Sequence, residues 1–158
     1  MKNALYVDTM IGTVGDGQIE KSHGGGKTYP GACVPGGMVQ LSPDTVSGGD
    51  NGSGYNYCHN TIEGFSFNHM SGIGWYGDLG NIQIMPVTED TDLRSGSNEE
   101  QPFNKGTRGW RSEFSHENEK TRAGYYSVLL ERYNVFAEAT VSEHTGLLRF
   151  TYPQNAEK

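Results

Sequence analysis

The stretch YYSVLLERYNVFAEATVSEHTGLLRFTY, residues 125–152, decides the fold. It contains three runs in which apolar and polar residues alternate, at 125–132, 135–143 and 146–152, and the runs are rich in β-branched and aromatic side chains. Such alternation is typical of half-buried β-strands. Because only a few residues separate the runs, the sequence predicts an antiparallel meander joined by short turns.

The rest of the chain also favours an all-β fold. Residues 38–42, 64–69 and 81–86 form further short alternating segments that we interpret as strands. The chain has 23 glycines, and each glycine inside a helix costs on the order of 1 kcal/mol, so long helices are disfavoured. No linker divides the 158 residues. The sequence therefore predicts a single domain over residues 1–158, an antiparallel β-sandwich.

Composition disfavours several classes of protein. The formal net charge is −7 and the cations form no cluster, so no nucleic-acid partner is expected. No apolar run approaches the length of a membrane span, and Asp8 interrupts the apolar residues near the N-terminus, so no secretory signal is predicted within the chain. The two cysteines, Cys33 and Cys58, fit no zinc motif. We interpret them as buried free thiols, with a disulfide as the alternative.

Residues 64–81, GFSFNHMSGIGWYGDLGN, raise the question of a binding loop. The glycines at 72, 74 and 77 match the dinucleotide-binding pattern, but a predicted strand follows them where that pattern requires a helix. The loop also carries His69 and Trp75 among small residues. Trp75 either folds back over the edge of a sheet or stacks on a flat ligand such as a sugar ring. Taken singly, His69 is interpreted as a structural histidine.

Eight ordered segments together resemble a known family. They lie at 8–13 (DTMIGT), 28–32 (TYPGA), 35–45 (PGGMVQLSPDT), 54–57 (GYNY), 62–74 (IEGFSFNHMSGIG), 78–86 (DLGNIQIMP), 114–119 (FSHENE) and 123–128 (AGYYSV). In content and order they resemble the N-terminal part of glycoside hydrolase family 92, the calcium-dependent exo-acting α-mannosidases abundant in gut Bacteroides.

This resemblance implies a two-domain enzyme. An N-terminal β-sandwich packs on a larger (α/α) helical barrel, and the active site lies in the cleft between them. The family inverts the anomeric centre with a carboxylic acid and a carboxylate base. The resemblance places both catalytic carboxylates and the calcium (Ca²⁺) ligands in the helical domain, which this chain lacks. No catalytic or metal-binding residue is therefore expected here, and the chain is expected to be inactive alone. Since its last predicted strand stops just before Lys158, the sandwich is expected to be truncated.

The resemblance also implies a sugar-binding wall. The family's His-x-Ser-Gly-x-Gly…Asp-Leu-Gly motif corresponds to His69, Ser71, Gly72, Gly74, Asp78, Leu79 and Gly80. A tryptophan of the sandwich faces the substrate in the family, and Trp75 is the candidate for that role. Tyr29 is a second candidate for the same wall. The implied substrate-binding residues are thus Trp75, His69, Asp78 and Tyr29.

The implied partners are mannose-containing glycans, N-glycans among them, and the protein's own C-terminal catalytic domain. The commonest linkage in the family is α-1,2, and the native enzyme is expected in the periplasm, secreted or at the cell surface. The residues leave two alternatives open. One is a stand-alone, lectin-like carbohydrate-binding module that uses Trp75 without hydrolysis. The other is a structural domain whose aromatic loop only packs.

Overall fold

A computed structural model describes residues 3–14, 27–45, 53–72, 80–94 and 109–154. Within these ranges the chain contains no α-helix, and the predicted all-β class is confirmed. The elements are two short 3₁₀ helices, Asn3–Tyr6 and His116–Asn118, and the strands β1 Ser42–Asp44, β2 Thr61–Ile62, β3 Gly64–Ser66, β4 Ser112–Glu113, β5 Lys120–Arg122, β6 Tyr125–Leu130, β7 Val135–Val141 and β8 Gly146–Thr151.

The largest sheet is the predicted meander. Strands β5, β6, β7 and β8 pair in that order, each antiparallel to the next. The register places Val128 of β6 opposite Ala137 of β7, and Ala137 opposite Phe150 of β8. The turn from β6 to β7 ends at Asn134, whose φ of 50° lies in the left-handed region. Asparagine tolerates that conformation better than most side chains, so the turn can be short.

One face of this sheet forms the core. Alternate residues of β7, namely Val135, Ala137 and Ala139, are buried, whereas the residues between them are at least partly exposed. This is the two-residue period expected of a strand with one face against an apolar layer. Tyr126 and Val128 of β6 are likewise fully buried.

Short strands form a second layer over that face. Strand β1 pairs with β3, and β2 pairs with β4, both antiparallel. Phe65 of β3 packs against Tyr126 and Phe150 of the large sheet, with ring centroids 6.4 Å and 6.0 Å apart. The two layers enclose one apolar core, as expected of a β-sandwich.

The N-terminal strands are shorter than predicted. Of residues 38–42, Leu41 forms an isolated bridge to Ala32 and only Ser42 belongs to a strand, β1, which continues to Asp44. Of residues 64–69, Gly64–Ser66 form β3, and residues 81–86 contribute a single bridge, from Ile84 to Phe65. Around residues 81–86, positive φ values at Gly80 and Ile82, of 83° and 56°, turn the backbone out of the extended conformation. Alternation in sequence does not reveal such turns.

The cysteines also differ from expectation. Cys33 and Cys58 do not form a disulfide, as predicted, but both are exposed, so the prediction of burial is wrong. They lie in connections between strands, outside the inward-facing strand positions that fill the core.

Among the described residues, no helix has the length and apolar character needed to cross a membrane.

Candidate functional site

His69 lies just after β3 and is nearly inaccessible, with 1% of its side chain exposed. Both ring nitrogens have close partners. Nδ1 lies 2.8 Å from the backbone carbonyl oxygen of Gln40, and Nε2 lies 2.7 Å from Oδ1 of Asp44. Since a carbonyl oxygen only accepts, Nδ1 must carry a proton. A hydrogen bond between Nε2 and the Asp44 carboxyl group completes the contacts of the ring.

Asp44 is the centre of this cluster. It is 1% exposed, and besides His69 it accepts hydrogen bonds at Oδ2 from the Ser66 hydroxyl, at 2.7 Å, and from Nε2 of Gln83, at 3.0 Å. Three donors therefore surround one buried carboxyl group, which offsets the loss of its hydration. The Gln83 side chain passes directly over Gly64 to reach Asp44. A Cβ at position 64 would lie only 2.5 Å from Cγ of Gln83, so a larger residue there would block this path.

The residue types Ser66, His69 and Asp44 are those of a nucleophilic triad, but their arrangement is different. In a triad the aspartate and the serine bind opposite nitrogens of the imidazole ring. Here both lie at Nε2, with the Ser66 hydroxyl 3.2 Å from it, and Nδ1 faces the Gln40 carbonyl. Ser66 is fully buried and donates its proton to Asp44. The cluster fixes the backbone around it and offers no accessible nucleophile.

Gly54 covers the pair at close range. Its φ is +70°, and a Cβ there would lie 2.6 Å from Oδ1 of Asp44 and 2.9 Å from Cδ2 of His69. The Gly54 carbonyl accepts a hydrogen bond from the backbone N–H of Thr45, at 2.8 Å. Only glycine combines this conformation with so close an approach.

Tyr29 lies against the same histidine. The ring centroids of Tyr29 and His69 are 5.3 Å apart and the ring planes are tilted by 37°. Tyr29 is half-buried. Burial, assisted by the neighbouring Cys33, raises the pKa of its hydroxyl to about 12. Tyr29 is thus a neutral hydrogen-bonding group with a partly open aromatic ring.

A buried ion pair supports the strand that carries Asp44. Nη2 of Arg111 lies 2.5 Å from Oε2 of Glu63, and the two side chains are 4% and 5% exposed. Nη1 of Arg111 donates to the carbonyl of Thr45, at 2.8 Å. Burial lowers the pKa of the guanidinium, whereas the charges of Glu63 and Asp44 act in the opposite direction.

Of the four sugar-binding residues implied by the sequence, the structure brings together His69 and Tyr29. Trp75 and Asp78 lie outside the described residues. Sequence reasoning missed Asp44 and Gln83. Both residues lie in segments of the family resemblance, 35–45 and 78–86, but nothing in those segments gives them a role. Asp44 comes beside His69 through the pairing of β1 with β3, in which Asp44 is opposite Gly64. Across the described ranges, no group of three or more His, Cys, Asp or Glu side chains could hold a metal ion.

Comparison with known proteins assigns the family. The sequence model of the glycosyl hydrolase family 92 N-terminal domain matches residues 6–158. A curated relative from Arthroderma benhamiae, described as an uncharacterized secreted glycosidase, is 32% identical over 151 residues, which cover 95% of this chain and 17% of that protein.

Two solved structures are similar over almost the whole chain. The family GH92 α-mannosidase BT3965 from Bacteroides thetaiotaomicron matches with a TM-score of 0.81 and 39% identity, over 97% of this chain and 19% of that one. The family GH92 inverting mannosidase BT2199 from the same species matches with a TM-score of 0.64 and 25% identity, over 95% of this chain and 18% of that one. The chain spans less than a fifth of the length of these relatives. It belongs to glycosyl hydrolase family 92 and corresponds to the N-terminal domain of that family.

Proposed function

We propose that this chain forms one wall of the sugar-binding cleft of an inverting exo-α-mannosidase and does not hydrolyse glycosides alone. The observation that carries the proposal is the 39% identity, over 97% of the chain, to the N-terminal part of an α-mannosidase. A similarity of this extent supports a common role for the domain. The catalytic groups would then come from the remainder of an enzyme several times longer, as the length of the relatives suggests.

The chemistry of inversion supports this division of labour. Inverting hydrolysis needs a protonated carboxyl group and a carboxylate base on opposite sides of the glycosidic bond, roughly 6.5–9.5 Å apart. The carboxyl group at the candidate site, Asp44, is 1% exposed and is already bound by His69, Ser66 and Gln83. It cannot reach a glycosidic oxygen or a water molecule without breaking that network. Asp44 and His69 therefore act as positioning residues, which fix the backbone behind the wall.

Of the four residues that the resemblance implies for sugar binding, Trp75, Asp78 and Tyr29 are proposed to face the sugar. His69 is buried with partners at both ring nitrogens, so it is proposed to support them instead. Tyr29 packs on His69 and keeps a partly exposed ring and a neutral hydroxyl group, as described above. A hydroxyl group beside an aromatic face suits a pyranose, which offers hydroxyl groups at its rim and C–H groups on its faces. Trp75 and Asp78 enter this proposal through the family motif.

Calcium is proposed as the cofactor of the whole enzyme. The described residues supply no donor set for a metal ion, so no residue of this chain is assigned as a ligand and no step is derived through the ion. The proposal also covers the substrate and the location of the whole enzyme. The substrate linkage is α-1,2, the role is N-glycan degradation, and the enzyme acts in the periplasm or at the cell surface. The description of a relative as a secreted glycosidase supports an extracytoplasmic site of action.

The stereochemistry of the product tests the proposal. We would follow hydrolysis of α-1,2-linked mannobiose by ¹H NMR, using the natural full-length gene product with calcium and with a chelator. Initial release of β-mannose that the chelator abolishes is the expected result. Initial release of α-mannose would contradict inversion. Absence of hydrolysis, with mannose binding retained, would favour the lectin-like module.

A further inference from the structure

A cavity of about 430 Å³ lies beside the N-terminal segment. None of the residues that surround Asp44 lines it. Its walls come from the N-terminal segment, from the segment around residue 57 and from the 3₁₀ helix before β5. The lining side chains that bear on its chemistry are Asp8, Met10, Thr13, Tyr57, His116 and Glu119.

The buried carboxylate of this cavity is fixed by three donors. Glu119 Oε1 accepts hydrogen bonds from the hydroxyl groups of Tyr126 and Tyr55, at 2.5 Å and 2.9 Å, and Oε2 lies 2.6 Å from Nδ1 of His116. Only 1% of the Glu119 side chain is exposed. Burial and the charge of Glu119 raise the pKa of both tyrosines, so their hydroxyl groups stay protonated and keep donating.

Tyr57 and His116 form an aromatic side of this cavity, and stacking and hydrogen bonds fix their positions. The rings of Tyr57 and His116 are stacked, with centroids 3.9 Å apart and planes 11° apart. Nε2 of His116 donates to the Tyr57 carbonyl, at 2.7 Å, and the Tyr57 N–H donates to the Thr13 carbonyl, at 2.9 Å. Hydrogen bonds therefore join three segments of the wall, and the cavity is preformed. Preformed sites bind with a smaller loss of conformational entropy.

The groups left for a ligand define its chemistry. Both ring nitrogens of His116 already have partners, so the histidine offers no further donor. The exposed carboxylate of Asp8 accepts one described hydrogen bond, from the N–H of Met10 at 2.9 Å, and has further lone pairs. Met10 and the 38%-exposed Tyr57 add apolar surface. The complementary ligand brings hydroxyl donors on one side and an apolar face on another.

We infer that this cavity is a second carbohydrate site, which binds a neutral pyranose with its C–H face towards Tyr57 and Met10 and its hydroxyl groups towards Asp8. The volume lies within the roughly 300–1,000 Å³ of small-molecule sites, enough for one or two sugar rings. The choice of a sugar among hydroxyl-rich ligands rests on the proposed function. Neither Tyr29 nor His69 lines this cavity.

NMR titration of this chain with methyl α-mannoside tests the inference. Saturable shifts of the Met10 methyl and Tyr57 ring signals are expected. Val14 also lines the cavity and is 52% exposed, so Val14→Trp fills it from the open side. This variant should weaken binding about tenfold or more. The matched control is Val87→Trp, because Val87 is 39% exposed and does not line the cavity.

The variant Tyr29→Ala distinguishes the two sites. It alters the proposed sugar-binding wall near His69 and should leave the Met10 and Tyr57 shifts unchanged. The inference is overturned if these signals do not saturate, if Val14→Trp and Val87→Trp weaken binding equally, or if Tyr29→Ala alone abolishes the shifts. If methyl α-mannoside binds in this cavity but the full-length gene product has no mannosidase activity, only the proposed function is contradicted. If the full-length gene product is active but the cavity binds no sugar, only this inference is contradicted.

Discussion

His69 and Asp44 form a buried pair, in which Nε2 of the imidazole lies 2.7 Å from Oδ1 of the carboxyl group. The Gln40 carbonyl holds the other ring nitrogen, so neither group can turn to a second partner without leaving an unpaired polar atom in the interior. The pair ties the end of β1 to the segment after β3. In the sequence, that segment is followed six residues after His69 by Trp75.

The first prediction concerns removal of the Asp44 charge. Asp44→Asn removes the carboxyl partner of the buried His69 and presents an amide N–H₂ group to the donors Ser66 and Gln83. Breaking a buried pair in this way should lower the free energy of unfolding by about 3 kcal/mol, measured by urea denaturation. Asp92→Asn is the matched control, because the Asp92–Arg94 pair is exposed and should contribute little to stability. Equal effects of the two substitutions would contradict the role given to Asp44.

The second prediction separates backbone strain from steric contact. Gly54 and Gly36 both have a φ of +70°, but a Cβ at Gly36 meets nothing within 4 Å, whereas one at Gly54 meets Asp44 and His69. Gly36→Ala should destabilise the fold by about 1 kcal/mol through the left-handed conformation alone. Gly54→Ala should destabilise it by more and should shift the His69 ring signals in NMR spectra. A Gly54 variant as stable as the Gly36 variant would contradict the close approach.

The third prediction concerns the ion pair behind the site. Arg111→Met leaves Glu63 charged and buried, so the free energy of unfolding should fall by about 3 kcal/mol or more. The double variant Arg111→Met/Glu63→Leu removes both charges and should recover most of that loss. A double-mutant cycle measured by chemical denaturation gives the coupling. A double variant as unstable as the sum of the single variants would show that the pair is not coupled.

The fourth prediction is a pH dependence on the meander. Hydrogen bonds from Tyr125, at 2.8 Å, and from Arg149, at 2.6 Å, lower the pKa of Glu138. The folded state therefore binds the proton less tightly than the unfolded state does. The contribution of Glu138 is present above the unfolded pKa and is lost as the pH falls through the lower, folded value.

Tyr125→Phe should make this acid-side loss of stability smaller. Urea midpoints at about pH 6 and about pH 3.5 sample the two sides of the unfolded pKa of a glutamate. Tyr152→Phe on the exposed end of the chain is the control and should leave the difference between the two midpoints unchanged. An unchanged difference in Tyr125→Phe would show that this hydroxyl does not stabilise the carboxylate.

The sequence predicts the meander well and the site poorly, for a physical reason. The strands β6, β7 and β8 pair with their neighbours in the chain, so the alternation of residues such as Val135 and Ala137 fixes both the elements and their partners. The partners of His69 are distant in sequence. Asp44 lies 25 residues before it and is brought beside it by the pairing of β1 with β3. No short motif encodes that register.

Family resemblance supplied what local patterns could not. The motif 62–74 singled out His69 but not Asp44, whose neighbours read as a turn. The burial of Asp44 against Ser66 and Gln83 depends on side chains from three segments. Such convergence is a property of the folded chain.

Release of mannose from α-1,2-linked mannobiose tests the central claim most directly. This chain and the natural full-length gene product would be assayed side by side, each with calcium and with a chelator. We expect release only by the full-length protein in the presence of calcium, and a lower rate in its Tyr29→Ala variant. Release of mannose by this chain alone would place the catalytic carboxyl groups within residues 1–158 and contradict the account.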